Sequence, residues 1–239
     1  SILEKAVSLG AKPVAPKRAE AFLHELEPMR GNIMLYVAGG EMGETEAEKT
    51  GFRFKVVSEA GGTTSPEDTR KAASIMSNLV ELLVFCGGDG TARDVLDSVG
   101  IKVPVLGVPT GVKMHSAVFA VDPRSAAGVV TRFFWSGLPL REVEIMDVDE
   151  EAFRSGRVSA KLYGYVVTPY EPALIQGYKV ATVLNDNELR NQAALAVYII
   201  EDMKPGVVYV VGPGTTTRTI GDLLGEKKTL LGVDIFCEK

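Results

Sequence analysis

A short apolar segment that runs directly into a glycine turn with one acid constrains this chain more than any other feature. Residues 82–86 (Leu-Leu-Val-Phe-Cys) are typical of a central strand in a parallel sheet. The turn that follows is predicted to adopt positive φ and to bring backbone N–H groups to an anion, with a helix from Ala92. Its candidate phosphate-binding residues are Gly87, Gly88, Gly90 and the predicted helix cap Thr91.

Asp89 is the unusual residue of this turn. An acid beside a bound phosphate is repelled unless it holds a cation or takes a proton from an attacking hydroxyl. Asp89 is therefore a candidate general base or a group that steers Mg²⁺. The alternative is that its carboxylate only satisfies amides in a tight turn.

The first part of the chain alternates predicted strands and helices, which favours right-handed crossovers and a mostly parallel sheet. Ligands of such sheets bind at the carboxyl ends of the strands. Predicted strands cover 33–37, 52–57 and 82–86 and start again at 103; predicted helices cover 2–9, 16–26, 66–79, 92–99 and the segment after Lys113 up to 121.

The pattern changes near residue 140. Residues 141–149 and 157–168 alternate as in an antiparallel sheet with one wet face. A helix is predicted over 185–203, a buried strand over 207–211, a helix from about Arg218 and a last strand over 230–236. The sequence predicts an α/β nucleotide-binding domain over 1–140 and a β-rich second domain over 141–239 with a strand-loop-helix insertion.

Two further turns are suited to anions. Lys113 follows Gly111 after the strand that starts at 103, where it would reach a phosphate as a point charge or lie on the surface as a solvated lysine. The second turn is Gly212-Pro-Gly-Thr-Thr-Thr, with candidate residues Gly212, Gly214, Thr215 and Thr216. It either contacts phosphate or is a well-capped turn, and the Lys-Ser/Thr of a P-loop does not follow it.

Composition argues against several classes of protein. The net charge of −5 argues against a nucleic-acid-binding face. Two cysteines give no disulfide framework, so we expect a reducing, cytoplasmic compartment. No stretch approaches the roughly 20 apolar residues of a membrane span, and we expect no membrane partner.

The Gly-Gly-Asp-Gly-Thr turn after an apolar strand resembles the signature of the NAD kinase and diacylglycerol kinase superfamily. A second segment, Gly-Val-Pro-Thr-Gly-Val-Lys-Met-His-Ser-Ala-Val-Phe-Ala over 107–120, resembles the archaeal-type ATP- or polyphosphate-dependent NAD kinases related to acetoin-catabolism operons. Residues 63–69, Gly164-Tyr165 and 212–217 are similar to that family as well. The resemblance covers most of the chain.

This resemblance implies an NAD kinase-like fold, with a Rossmann-like domain followed by a β-rich domain and sequence missing at both ends. It implies transfer of the terminal phosphate of ATP, or polyphosphate, to the 2′-hydroxyl of the adenosine ribose of NAD. Asp89 would be catalytic, Mg²⁺ would offset phosphate charge, and the protein would be a homo-oligomer. The alternatives are a lipid or small-alcohol kinase of the superfamily, and a non-catalytic NAD(P)-sensing module.

Overall fold

The computed structural model describes residues 5, 7–59, 64–111, 114–148, 160–176, 186–229 and 232–237. The helices are α1 (Ala15–Glu25), α2 (Glu44–Thr50), α3 (Pro66–Met76), α4 (Asp89–Val99), α5 (Pro123–Ser136), α6 (Asp186–Glu201) and α7 (Thr215–Leu224). The strands are β1 (Leu35–Ala38), β2 (Phe54–Ser58), β3 (Leu83–Gly87), β4 (Val105–Pro109), β5 (Leu140–Val148), β6 (Ala160–Pro169), β7 (Val208–Val211) and β8 (Asp234–Cys237). The expected α/β class is confirmed.

The first four strands form two parallel pairs, β1 with β2 and β3 with β4. Strands β3 and β4 lie between two apolar layers because their side chains alternate between faces. Leu83 and Phe85 pack with α3, α4 and parts of β5 and β6, whereas Leu106 and Val108 pack with α1 and α5. The pair is thus covered on both faces, as expected for a parallel sheet.

Local sequence signals explain where two helices begin. Ser65 caps α3 in a capping box with Asp68: the amide N–H of Ser65 donates to Asp68 Oδ2 at 2.8 Å, and Pro66 opens the helix. Asp122 caps α5 by accepting the N–H of Ser125 at 2.7 Å. Because capping explains Asp68, no ligand is needed to account for it.

The structure corrects three predictions. Residues 114–121 form turns and isolated bridges to Gly107 and Ile175 and are not helical, because β4 and β5 supply partners for their backbone. Strand β7 is exposed on one face, with Val208 57 % and Val210 69 % accessible, so it is not a buried strand. Helix α7 begins at Thr215, three residues before the expected start. Half of the predicted helix over 2–9 lies outside the described residues, and within the described half Lys5, Val7 and Ser8 are helical.

By their contacts the residues divide into two compact units. The first comprises 1–147 and 162–179, and it contains both apolar clusters around β3 and β4. The second comprises 148–161 and 180–239, in which β7 pairs antiparallel with β8 and α6 packs on α7. The division into domains at residue 140 stays a prediction. Within the described ranges, no helix is both long and apolar enough for a membrane span.

Candidate active site

The glycine turn after β3 passes into α4 with no left-handed residue. Gly88 is extended, with φ −115° and ψ −170°, and α4 begins at once with Asp89. Gly87, Gly88 and Gly90 do not have positive φ, so that expectation is wrong. Thr91 is wrong as the predicted cap, because the helix starts two residues before it and its side chain already lies in the first turn.

The glycines of this turn differ in what surrounds them. A Cβ on Gly87 would lie only 2.4 Å from Thr91 Oγ1 and 2.6 Å from Thr91 Cβ, because the side chain of Thr91 leans back over β3. A Cβ on Gly88 would meet no atom within 4 Å, and one on Gly90 would meet only Arg93 Nη2 at 3.8 Å. Gly87 is therefore explained by packing, whereas Gly88 leaves open space at the start of the helix.

The carboxylate of Asp89 accepts hydrogen bonds from a loop 26 and 27 residues further along the chain. The amide N–H of His115 lies 3.0 Å from Oδ2 and 3.2 Å from Oδ1, and the amide N–H of Ser116 lies 2.8 Å from Oδ1. A carboxylate offers about four acceptor positions, and these contacts use at most three of them. Asp89 therefore satisfies backbone amides, as the alternative interpretation proposed, but these amides belong to a distant loop. The carboxylate also keeps at least one acceptor position for a further hydrogen bond.

The loops after β3 and β4 lie side by side at the carboxyl edge of the pair. Gly87 and Pro109 are in register, and the N–H of Thr110 donates to the carbonyl oxygen of Gly87 at 3.1 Å. Gly111 follows and is exposed. Lys113 lies outside the described residues. The turn that contains Asp89 and the loop after β4 thus both lie at the carboxyl edge of this strand pair.

His115 is buried in this region and Cys86 is half-buried. His115, 9 % exposed, contributes its backbone N–H to Asp89. Burial raises the pKa of the Cys86 thiol to about 12, so this thiol stays protonated at neutral pH. Cys86 is thus an apolar neighbour of the turn.

Arg93 is a cation beside the glycine turn that the sequence patterns did not single out. It lies one turn into α4, its guanidinium donates to Asp147, and its Cζ lies 5.8 Å from the ring centroid of Tyr163. Tyr163 in turn donates to Asp97, and that hydrogen bond raises the pKa of its hydroxyl. Helical spacing from Gly90 was the signal that could have indicated Arg93.

The turn at 212–217 belongs to the second unit and is closed on itself. Gly214 has φ +146°, where a Cβ would be strained and would lie 3.3 Å from Thr217 Oγ1. The hydroxyl of Thr217 donates to the carbonyl oxygens of Gly212 and Gly214 at 2.9 and 3.0 Å. A Cβ on Gly212 would meet nothing within 4 Å, and Thr216 is half-buried. The side chain of Thr215 lies outside the described part of the chain.

Gly164 has a packing reason. A Cβ there would lie 2.8 Å from Leu96 Cδ2, so a side chain at this position would require Leu96 to move. Gly164 therefore allows close packing of β6 against α4, the helix whose first residue is Asp89.

Comparison with known proteins gives a family for this geometry. The model of the ATP-NAD kinase N-terminal domain matches residues 4–137, which is more than half of the chain. The chain belongs to this family. The matched region of the ATP-NAD kinase domain contains β1 to β4, the Asp89 turn and the loop that Asp89 contacts.

One solved structure is similar at low identity. It is provisionally described as a diacylglycerol kinase from Bacillus anthracis strain Sterne, with 13 % identity and a TM-score of 0.29. The match covers 74 % of this chain and 57 % of that one, so this chain spans little more than half of the length of that structure. None of the curated proteins compared with the chain matches it.

Proposed function

We propose that this protein is an NAD kinase of the archaeal type. It would transfer the terminal phosphate of ATP, or of polyphosphate, to the 2′-hydroxyl of the adenosine ribose of NAD and form NADP. The observation that carries this proposal is the position of Asp89, at the first residue of a helix and the carboxyl edge of a parallel strand pair, inside the region that matches the ATP-NAD kinase family.

The chemistry requires few groups from the protein. The ribose oxygen attacks the terminal phosphorus, the bond to the bridging oxygen breaks, and ADP or the shortened polyphosphate leaves. Asp89 would accept the hydroxyl proton through the acceptor capacity that the two loop amides leave unused. Phosphoryl transfer of this kind depends mostly on positioning and charge neutralisation.

The glycine turn would hold the nucleotide. Gly88 and Gly90 leave room for a phosphate or ribose to approach the start of α4, where amide N–H groups and the helix dipole favour negative charge. Gly87 and Thr91 shape the turn from beneath. Lys113 and the turn at Gly212, Gly214, Thr215 and Thr216 stay proposed contacts.

Mg²⁺ is the proposed counter-ion of the donor phosphates, and Asp89 is the candidate side chain of the turn that would hold it. Magnesium in such sites is bound by one or two carboxylates together with substrate phosphates. Asp89 would bind the ion as the alternative to accepting the proton of the ribose hydroxyl. When bound, the ion would neutralise charge on the donor phosphates.

The contacts of Asp89 also support a second candidate, a non-catalytic module that binds NAD(P). An acid that anchors a loop through two amides needs no reactive role. A cytoplasmic homo-oligomer without nucleic-acid or membrane partners stays an expectation.

The experiment is a side-by-side phosphorylation assay of the purified protein with Mg²⁺. NAD, a sphingoid base, diacylglycerol and a glycolytic sugar are each offered with ATP and with polyphosphate, and products are identified by mass. We expect NADP with at least one donor. Phosphorylated lipid or sugar without NADP would assign another kinase activity, and NAD binding in calorimetry without any product would assign the sensing module.

A further inference from the structure

The segment that Asp89 contacts is itself fixed from two sides. The hydroxyl oxygen of Ser116 accepts the N–H of Met146 in β5 at 2.9 Å, and the N–H of Ala117 donates to the carbonyl oxygen of Glu144 at 2.9 Å. On the other side, Gly107 in β4 exchanges backbone hydrogen bonds with residues 118 and 120. The position of the Asp89 carboxylate therefore depends on a loop held between β4 and β5.

Ser116 connects these contacts. Its backbone N–H donates to Asp89, and its hydroxyl accepts from β5, while the residue is only 2 % exposed. Ser116 therefore links β5 to Asp89: its hydroxyl contacts β5 and its amide contacts the carboxylate. Met146 is half-buried, and a partly shielded N–H that loses its acceptor carries a desolvation cost.

We propose that Ser116 is a positioning residue for Asp89, an inference that rests on the proposed phosphoryl transfer. The side-chain oxygen of Ser116 holds the 115–116 amides in the orientation that aims the carboxylate. A displacement of about 1 Å at a reacting group can cost about a hundredfold in rate. A loosened loop would therefore lower turnover while leaving the glycine turn, and with it nucleotide binding, in place.

The test compares Ser116→Ala with Ser98→Ala. Ser98 is a matched control, because its partly buried hydroxyl donates to the carbonyl oxygen of Asp94 at 2.9 Å, within α4. We expect Ser116→Ala to lower kcat for NADP formation about tenfold or more, with both KM values within about twofold of wild type. Ser98→Ala should keep wild-type kcat. Equal kcat in the two variants would overturn the proposal.

A second measurement does not depend on activity. Hydrogen exchange should show the amides of residues 115, 116 and 146 protected in the wild type and in Ser98→Ala, and exchanging at least about tenfold faster in Ser116→Ala. Unchanged exchange at 115 and 116 would overturn the positioning role even if the variant were less active. If wild type formed no NADP and exchange changed as expected, the kinase proposal would fail while the contact between Ser116 and Asp89 would stand.

Discussion

The molecule contains two turns with the same local plan, a strand followed by glycines and a helix, but they are satisfied in different ways. At the end of β3 the polar group of the turn, Asp89, contacts amides 26 and 27 residues away. At the end of β7 the hydroxyl of Thr217 returns to carbonyl oxygens of its own turn. The first turn is thus built into the surrounding fold, whereas the second is complete by itself.

This difference separates a candidate active site from a candidate cap. A polar group that reaches across the fold fixes two loops at the edge where ligands of parallel sheets bind. A hydroxyl that closes its own turn stabilises the start of a helix and needs nothing further. The comparison favours Asp89 over the 212–217 turn as the centre of the chemistry.

Substitution of Asp89 should have the strongest effect on activity, and it tests the contrast between the two turns directly. Asp89→Asn should lower kcat for NADP formation at least roughly a hundredfold, because the amide cannot accept a proton from the ribose hydroxyl. Its Nδ2 would also face a loop amide as a second donor. Thr217→Val should keep kcat within about twofold, as steady-state kinetics of both variants would show. A similar loss in Thr217→Val would place both turns in the reaction.

The second prediction concerns Lys228, a buried side chain that stabilises the second unit. The buried ammonium group of Lys228 pairs with Asp234 and donates to the carbonyl oxygens of Thr229 and Gly232, and a Cβ on Gly221 of α7 would lie 2.5 Å from Lys228 Cβ. Lys228→Met should therefore destabilise the second unit, because the carbonyl oxygens of Thr229 and Gly232 lose their donor and Asp234 keeps only its hydrogen bonds from Thr229. Hydrogen exchange should increase over 208–224 and stay unchanged over 83–99.

The control for this variant is Lys227→Met, at an exposed neighbouring position. It should leave exchange in both regions unchanged. If Lys228→Met instead loosened residues 83–99 to the same extent, the two turns would not be independently stabilised.

A third pair of variants sharpens the contrast within the first turn. Gly87→Ala should lower stability by about 1–3 kcal/mol, because the new methyl group would overlap the side chain of Thr91. Gly88→Ala should leave the Tm unchanged, since its φ and ψ suit alanine and no atom is nearby. It should raise the KM for nucleotide about tenfold by occupying space meant for the ligand. Thermal unfolding and kinetics measure both, and an unchanged KM in Gly88→Ala would argue against a ligand there.

The smallest expected effect is a pH dependence of the second unit. The hydrogen bond from Lys228, followed by that from Thr229, lowers the pKa of Asp234. Because the folded pKa is depressed, the contribution of Asp234 to stability is present above its ordinary pKa and is lost as pH falls through the folded value. Urea unfolding at several pH values, monitored by hydrogen exchange of residues 208–224, measures this effect. The stability of the second unit should fall at low pH in the wild type and in Asp222→Asn, and should fall less in Asp234→Asn. An equal acid loss in Asp234→Asn would assign it to other groups.

Features with local causes follow from the amino-acid sequence alone. Ser65 and Asp122 are residue types that favour helix N-caps, and each contacts a partner only three residues away. The continuous apolar run at 82–86 predicted a central strand, and β3 is covered on both faces. The order strand, glycine turn, helix around Asp89 also followed from local pattern.

Features that depend on residues far away in the sequence are visible only in the folded structure. The amides that Asp89 binds and the non-helical path of 114–121 depend on β4 and β5, which lie far away in sequence. The prediction that β7 is buried was wrong for the same reason. Its residues are apolar, but no described residue covers one of its faces. Periodicity and turn chemistry report neighbours within a few residues, whereas a contact between residues 89 and 116 exists only after the chain has folded back on itself.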